Sequence, residues 1–472
     1  MKCGGFVFLV LVCSGCATYM PNPPCPPPPS ARCPTSESYS MCSPTICPIE
    51  PSETDELTLY DLVDIALLNS PKTREKWYGA KIAAAELGTA RGAFLPTVDF
   101  VGNWLRNQFS TVDLGIPFAN DMKQVGFGFQ ANFLLLDFGG RTARLEMAIA
   151  ALEQANWIYN WEIQGVLIQT IKAYYDYINA QAILEADLAS MEDYKRTMRA
   201  ATGLTEVGLS SISDLLQAET QFLQSVIEVE RSQGAVQVAG ANLAKALNIS
   251  ADKELNVRPM PDKVPMQTIE QSMKQLMELA KVQRDDLKAT RAAVVRSRSN
   301  IRSVRADLLP TVNTLVNGKL VSLDNMRFLE NYTVGFDLKV PLFQAFEAIN
   351  NLRKAQSELL ESQAGLDDKE LDAFVAVVTD YYDFIANGEI LKYSEQHVET
   401  ATRGQRAALA NYRLGIIDVT ALTVANNQLN QARKQLADAK TNYLTSIANL
   451  AYHTGGLTYK AVDENRPDVS VD

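Results

Sequence analysis

The spacing of hydrophobic residues changes twice within each of two similar stretches of this chain. Residues 57–93 and about 268–307 repeat apolar positions at helical spacing, and each stretch stops just before a proline. Proline lacks a backbone N–H donor and restricts the residue before it, so Pro96 and Pro310 end the two predicted helices. Each half of the chain is therefore predicted to open with a helix.

Beyond each proline the apolar period falls to two, which indicates β-strands. In the first half the runs are 97–104 and 124–133, and the second half repeats the pattern with glycine and polar residues on the opposite face. The shared apolar face comprises Val98, Phe100, Trp104, Val125, Phe127, Phe129, Ala131 and Phe133, then Tyr332, Val334, Phe336, Leu338 and Val340. We expect four strands per chain with one apolar face.

Long helical patterns follow the strands, at about 140–205 and 347–412. About 66 residues at about 1.5 Å per residue make a rod of about 100 Å. After a glycine-containing turn, a returning helix of about 36 residues keeps a heptad of large residues, with a small residue three positions after each of the first four. The large residues are Leu215, Phe222, Val229, Val236 and Leu243, matched by Leu422, Leu429, Leu436, Tyr443 and Leu450. This alternation predicts closely packed helices.

The two halves are copies of one unit. Tyr174-Tyr175-Asp176 recurs 207 positions later as Tyr381-Tyr382-Asp383, whereas Leu95-Pro96 recurs 214 positions later as Leu309-Pro310. Residues 57–250 and 267–457 therefore form two repeats, with 251–266 as a linker. The change of offset predicts a hairpin loop seven residues longer in the first repeat.

The N-terminus has the layout of a secretory signal. Lys2 precedes a short apolar run and then Cys13-Ser14-Gly15-Cys16, which predicts a signal peptide at residues 1–15. A cysteine after small residues resembles a bacterial lipoprotein signal, in which Cys16 would be lipidated and would anchor the chain at a membrane surface. An ordinary signal peptide cut nearby is the alternative.

Residues 16–56 are rich in proline and predict an extended linker. All seven cysteines lie in the first 47 residues. In an oxidising compartment, Cys25, Cys33, Cys42 and Cys47 would form one or two disulfides, with three full connectivities open. Residues 458–472 form an acidic tail.

Composition and motifs argue against several classes of function. A formal net charge of −11 with no basic stretch argues against a nucleic-acid partner. The only histidines, His397 and His453, are far apart and lack metal-ligand spacing, and neither a phosphate-binding loop nor a nucleophile elbow is present. We therefore expect no enzyme, no metal site and no cofactor.

The apolar face of the strands needs a cover. A soluble hairpin would pack it on a core, but the surrounding pattern is helical and offers no second sheet. Lipid can cover it, because strands of about 9–11 residues with one apolar face build outer-membrane barrels. Four strands are too few to close a barrel and open edges are not tolerated in lipid, so several chains must contribute strands.

At this point the chain resembles the TolC family of outer-membrane efflux channels, over about residues 57–457. The motifs that carry the resemblance are the segment Ala90 to Val98, Leu136-Asp137-Phe138-Gly139-Gly140-Arg141, Val340-Pro341-Leu342-Phe343 and the turn at Val207. It implies a mainly α fold with a small transmembrane β part: a homotrimer whose twelve-stranded barrel in the outer membrane continues as an α-helical barrel through the periplasm.

The implied function is a passive exit duct in a tripartite efflux system, working with a periplasmic adaptor protein and an inner-membrane pump on drugs, metals or other small molecules. An outer-membrane component of type I protein secretion is one alternative. A lipid-tethered periplasmic coiled-coil scaffold is an alternative from another class.

The resemblance also assigns roles to the helical turns. Val207, Gly208 and Leu209, with Leu414, Gly415 and Ile416, would dock the adaptor, although the glycines also suit a plain chain reversal. Some family members narrow the tunnel with aspartates six and nine residues after the second turn glycine, where this chain has Ala421 and Val424. Asp214 and Asp418 are the remaining acidic candidates for a constriction, and a helix cap is the alternative role for Asp214.

Overall fold

The computed structural model describes residues 57–113, 116–251, 255–259, 264, 266, 271–323, 327–343 and 345–457. The predicted signal peptide, Cys16, the linker cysteines Cys25, Cys33, Cys42 and Cys47, and the tail 458–472 lie outside the described residues, as does half of the linker 251–266.

The described chain contains eight helices and four strands. In chain order they are α1 (Leu59–Asn69), α2 (Pro71–Gly92), β1 (Thr97–Asp113), β2 (Ile116–Leu136), α3 (Gly140–Glu206), α4 (Ile212–Leu247), α5 (Met273–Gln283), α6 (Asp285–Ala306), β3 (Thr311–Leu323), β4 (Leu329–Lys339), α7 (Glu347–Arg413) and α8 (Val419–His453). Each repeat has two helices, two strands, a long helix and a returning helix, which confirms the predicted mainly α fold with a duplicated unit and a small β part. No helix among the described residues is both long and apolar enough to cross a bilayer.

Each repeat opens with two helices, so the single opening helix that the sequence predicted is wrong. Ser70 adopts an extended backbone between α1 and α2, and its hydroxyl accepts a hydrogen bond from the backbone N–H of Thr73 at 3.3 Å. Pro71 at the first position of α2 suits the start of a helix and forces the preceding residue out of helical geometry. In the second repeat Arg284 takes the same extended role between α5 and α6.

The long helices confirm their predicted extent. Both α3 and α7 contain 67 residues, which corresponds to about 100 Å. The returning helices α4 and α8 contain 36 and 35 residues. Most of the predicted seam is buried or half-buried, and Val229, Leu422 and Tyr443 are among its buried large residues.

The four strands form one antiparallel sheet in the order β1-β2-β3-β4, so β2 and β3 join the two repeats. A row across one face runs through the paired residues Phe100, Phe129, Gly318 and Tyr332. The matching row on the other face is Asp99, Gln130, Asn317 and Thr333. One face is therefore apolar across all four strands, as the sequence predicted, and β1 and β4 are the edges.

The apolar face is open in the single chain. Trp104, Phe129 and Phe336 are 68, 56 and 73% exposed. At the centre of the sheet the backbones approach closely, since a Cβ on Gly128 would lie 2.1 Å from the carbonyl oxygen of Gly318. Only glycine fits there.

The first hairpin is longer because its strands are longer. β1 and β2 contain 17 and 21 residues and are joined by residues 114–115, whereas β3 and β4 contain 13 and 11 residues and are separated by residues 324–328. Backbone pairing in the first hairpin continues to its end. The longer loop that the offset predicted is therefore wrong, because the extra residues pair as strand.

Candidate functional site at the helical turns

The two turns that join the long helices to the returning helices have the same geometry. Gly208 and Gly415 adopt φ values of 75° and 70°, in the left-handed region that favours glycine. The next residue closes each turn: the N–H of Leu209 donates to the carbonyl of Leu204 at 2.8 Å, and that of Ile416 donates to Asn411 at 2.9 Å. This pattern of a left-handed glycine and a six-residue hydrogen bond ends a helix and reverses the chain.

Both turns lie at one end of the helical part. Ala201 and Ala218 from the first repeat and Tyr412 and Leu422 from the second belong to one buried cluster just behind the turns. The sequence placed the two sets of turn residues in separate repeats, and this cluster brings them together at one tip.

Large apolar side chains around these glycines point into solvent. Val207, Leu209, Leu414 and Ile416 are 68, 77, 73 and 66% exposed. None of these four side chains is buried in the core. Adjacent exposed apolar residues are typical of a contact surface.

Asp214 belongs to a capping box at the start of α4. Its carboxylate accepts hydrogen bonds from the Ser210 hydroxyl at 2.9 Å and from the N–H of Ser211 at 3.2 Å, and its own N–H donates to the Ser211 hydroxyl at 3.1 Å. The hydrogen bond from Ser210, followed by that from Ser211, lowers the pKa of Asp214. The ionised carboxylate thus caps the helix while it stays partly exposed.

The other three constriction candidates lie at the start of α8. Asp418 is the N-cap residue, and its Oδ1 accepts a hydrogen bond from the N–H of Ala421 at 2.8 Å. Ala421 is exposed and Val424 is 49% exposed. Since Ala421 occupies the position of Asp214 in the other repeat, only one of the two turns carries an acid there.

A polar junction between α3 and α8 joins the two repeats farther along the helices from this tip. Lys434 Nζ lies 2.7 Å from Oδ1 of Asp187, whose side chain is 2% exposed. Arg433 Nη1 lies 3.0 Å from Asp193 Oδ2. Sequence reasoning missed these pairs, because their members lie more than two hundred residues apart and only their polarity at helix-packing positions signals them.

The same junction continues with uncharged groups. Asn426 Nδ2 donates to the Thr197 hydroxyl at 3.0 Å, and Gln405 Nε2 donates to Asn426 Oδ1 at 3.1 Å. Both Thr197 and Asn426 are buried. Buried polar groups that satisfy one another fix one relative register of the helices.

The histidines take part in side-chain contacts between helices. The His453 ring pairs with the carboxylate of Asp380, and His397 Nδ1 lies 3.2 Å from Gln435 Oε1. Within the described residues, no group of three histidine, cysteine, aspartate or glutamate side chains is placed to hold a metal ion.

Comparison with known proteins gives consistent matches over both repeats. The family model described as "Outer membrane efflux protein" matches residues 62–248 and 276–456. Protein CyaE of Bordetella pertussis is 25% identical over 425 residues, which cover 89% of each chain. The outer membrane protein TolC of Vibrio cholerae is 24% identical over 396 residues, covering 79% of this chain and 85% of that protein.

A solved structure of the outer-membrane channel OprN superposes with a TM-score of 0.78 at 18% sequence identity. The match covers 84% of this chain and 90% of OprN. At that identity the likeness concerns the fold.

Proposed function

Because this chain belongs to the outer membrane efflux protein family, we propose that it is the passive exit duct of a tripartite efflux system. Its place is the outer membrane, and its long helices extend into the periplasm. A pump in the inner membrane would supply the driving force, and a periplasmic adaptor would join the pump to the helical tip. The duct guides its substrate and makes or breaks no bond.

The sheet is the observation that carries this proposal. Its apolar face is exposed across all four strands, and its edges β1 and β4 have no partner strand within the described residues. Lipid covers an apolar face without cost, but each unpaired backbone group in lipid costs several kcal/mol. Closure through other copies removes both edges, and three copies, the number that the family resemblance implies, give twelve strands.

The repeats indicate how the copies would join. Within one chain Phe129 of β2 pairs with Gly318 of β3. The equivalent positions in β4 and β1 are Phe336 and Trp104, so β4 of one copy would pair with β1 of the next at these residues. The same head-to-tail rule, applied three times, closes a ring.

At the tip, the exposed turn residues Val207, Leu209, Leu414 and Ile416 would dock the adaptor. Asp214 would line the entrance, where threefold repetition of its carboxylate would favour cations. Its role as a cap is compatible with this, since the capping hydrogen bonds hold the carboxylate in one place. We also retain the proposal that Cys16 carries a lipid anchor.

Single-channel recording tests the proposed duct. We expect the detergent-purified protein to insert into planar lipid bilayers and give discrete conductance steps, and absence of any steps would contradict the duct. Replacement of Asp214 by Ala should change the single-channel conductance or its sensitivity to divalent cations. An unchanged conductance and sensitivity would remove Asp214 from the constriction.

The two alternatives predict other outcomes. A soluble coiled-coil scaffold should stay soluble without detergent after removal of residues 1–50, but the exposed face around Trp104 and Phe336 argues against this. A type I secretion component would restore export of an unfolded polypeptide, and not of small dyes, in cells that lack their own outer-membrane duct.

A further inference from the structure

A shallow basic groove lies beside the turns, between the C-terminal parts of α3 and α7. It has a volume of about 390 Å³ and is lined by Arg196, Arg199, Ala200, Gly203, Leu204 and Arg413. Three arginines therefore line this groove, and its other lining residues are small or apolar. The chain as a whole has a formal net charge of −11, so the positive charge of this groove differs from that of the whole chain.

The charge of the groove is only partly neutralised. Arg196 has two acidic neighbours, with Nε 3.9 Å from Glu192 Oε1 and Nη1 3.6 Å from Asp193 Oδ1. Arg433 also binds Asp193, at 3.0 Å, so that carboxylate is shared. Across the described ranges of the chain, Arg199 and Arg413 have no carboxylate within 4 Å. Like charges that converge on one groove repel each other until an anion enters.

We propose that this groove binds an acidic side chain at the tip of a helical adaptor, which rests on the proposed function and adds the chemistry of the partner. The planar guanidinium fork matches a carboxylate and binds it through two hydrogen bonds. Arg413 is followed directly by the exposed Leu414, and Val207 lies one turn beyond Gly203. The fitting partner therefore carries a glutamate or aspartate flanked by apolar residues.

The repeat predicts a second groove, formed by the residues equivalent to those of the first, and its charge is different. Arg403 and Arg406 on α7 occupy the positions of Arg196 and Arg199, but Glu206 on α3 occupies the position of Arg413. Arg403 is paired with Glu399 as Arg196 is with Glu192, so the difference lies at Glu206. In the proposed ring this second groove would lie between α7 of one copy and α3 of the next, and Glu206 would repel a carboxylate. Acidic adaptor tips would thus enter three of the six grooves.

Two synthetic helical hairpin peptides test this on the full-length protein in detergent. One presents two glutamates at its tip, and the other is identical except for glutamines. We expect the glutamate hairpin to bind about tenfold more tightly, with three bound per three chains, because it gains charge-assisted hydrogen bonds in the groove. Fluorescence anisotropy of labelled peptides measures both the affinity and the stoichiometry.

Arg413→Glu should remove the preference, and Arg413→Lys should keep part of it, since the charge remains and the fork is lost. Arg296→Glu on α6 is the matched control: Arg296 is exposed, and nearby residues of α6 bind the opposite end of α3 through Arg302 and Glu146. Glu206→Arg should raise the stoichiometry from three to six.

Equal binding of the two hairpins by the wild type, an unchanged preference in Arg413→Glu, or a stoichiometry of three in Glu206→Arg would overturn the inference. The conductance of the same wild-type preparation separates failure of the groove inference from failure of the proposed duct function. If channels form while the hairpins bind equally, the groove inference fails and the duct stands. If no channels form, the proposed function fails and takes this inference with it.

Discussion

The two longest helices have equal length and unequal surroundings. α3 buries 18 of its 67 residues, whereas α7 buries nine of 67. α3 packs against α6 and α8 of the second repeat, but the equivalent helices for α7 would be α2 and α4, and within the described residues α7 makes no comparable contact with either. We infer that α2 and α4 of another copy complete the surroundings of α7.

The returning helices repeat this contrast in their side chains. On α8, Lys434 pairs with Asp187 of α3, and the polar residues Thr423, Asn430 and Thr441 lie on the same helix face as Lys434 at spacings of four and seven. The equivalent stripe on α4 consists of Leu216, Leu223, Ile227 and Gly234, and its three large residues are 56, 54 and 53% exposed. The junction inside the chain thus includes ion pairs and hydrogen bonds beside its apolar contacts, while the open stripe offers apolar area for association.

A charge in the open α4 stripe should have the largest effect. Ile227→Asp would bury an unpaired carboxylate at each of three contacts, at a cost of several kcal/mol each. We expect the detergent-solubilised particle to change from three chains to one, as measured by light scattering or native mass spectrometry. Gln233→Asp, also exposed on α4 but off the stripe, is the control and should leave three chains. If the Ile227→Asp particle still contains three chains, the exposed α4 stripe does not hold the copies together.

Loss of the cation in the α3 and α8 junction should destabilise each chain without changing their number. Lys434→Met leaves the carboxylate of Asp187 buried without its cation, at a cost of about 3 kcal/mol. Thermal unfolding of the helices should show the loss. Adding Asp187→Leu should recover most of it, because an apolar pair needs no counter-charge. A double variant less stable than the single one would show that the pair is not the cause.

The half-buried Tyr175 should make stability fall at alkaline pH. Burial, followed by the neighbouring Tyr174 and Tyr60, raises the pKa of Tyr175 to about 12, whereas the equivalent Tyr382 is 58% exposed. The folded state holds the phenol proton more tightly than the unfolded state, so stability falls as pH rises from about 10 towards about 12.

In denaturant titrations at several pH values, Tyr175→Phe should reduce this fall by about 2 kcal/mol. A wild-type curve that is flat across the window, or a Phe variant with an equally steep fall, would mean that the fold does not raise the pKa of Tyr175.

The smallest expected effect concerns the caps that distinguish the two turns. Asp418→Ala removes the acceptor of the Ala421 N–H, which should cost about 1 kcal/mol and speed hydrogen exchange of that amide. Asp418→Ser keeps a capping oxygen and should exchange nearly as slowly as the wild type. Equal exchange in the alanine variant and the wild type would show that the cap does not hold the start of α8.

Local pattern and repetition were enough to predict much of this fold. A period of two placed the strands, heptads placed α4 and α8, and the repeated glycines Gly208 and Gly415 placed both turns. Pro71 signals the break after Ser70, but the helical periodicity on both sides favoured one continuous helix. The break at Arg284 has no such signal, because it depends on packing: Arg284 lies over the Trp161 ring at 5.1 Å and binds Asp286.

The candidate site was only partly readable from the sequence. The turn residues could be named, because glycine at a helix reversal is a local requirement. The pairing of Asp187 with Lys434 and the approach of Arg199 to Arg413 join residues that no periodicity relates. The longer β1 and β2 hairpin was also missed, since residues between 105 and 123 do not alternate regularly and their pairing becomes visible only in the sheet.

The most direct test of the whole account is a cryo-electron microscopy reconstruction of the detergent-purified full-length protein. We expect a threefold ring in which β4 of each copy pairs with β1 of the next, Phe336 lies beside Trp104, and α7 packs on α2 and α4 of the neighbour. A single-chain particle, or a ring in which β1 pairs with β1, would contradict it.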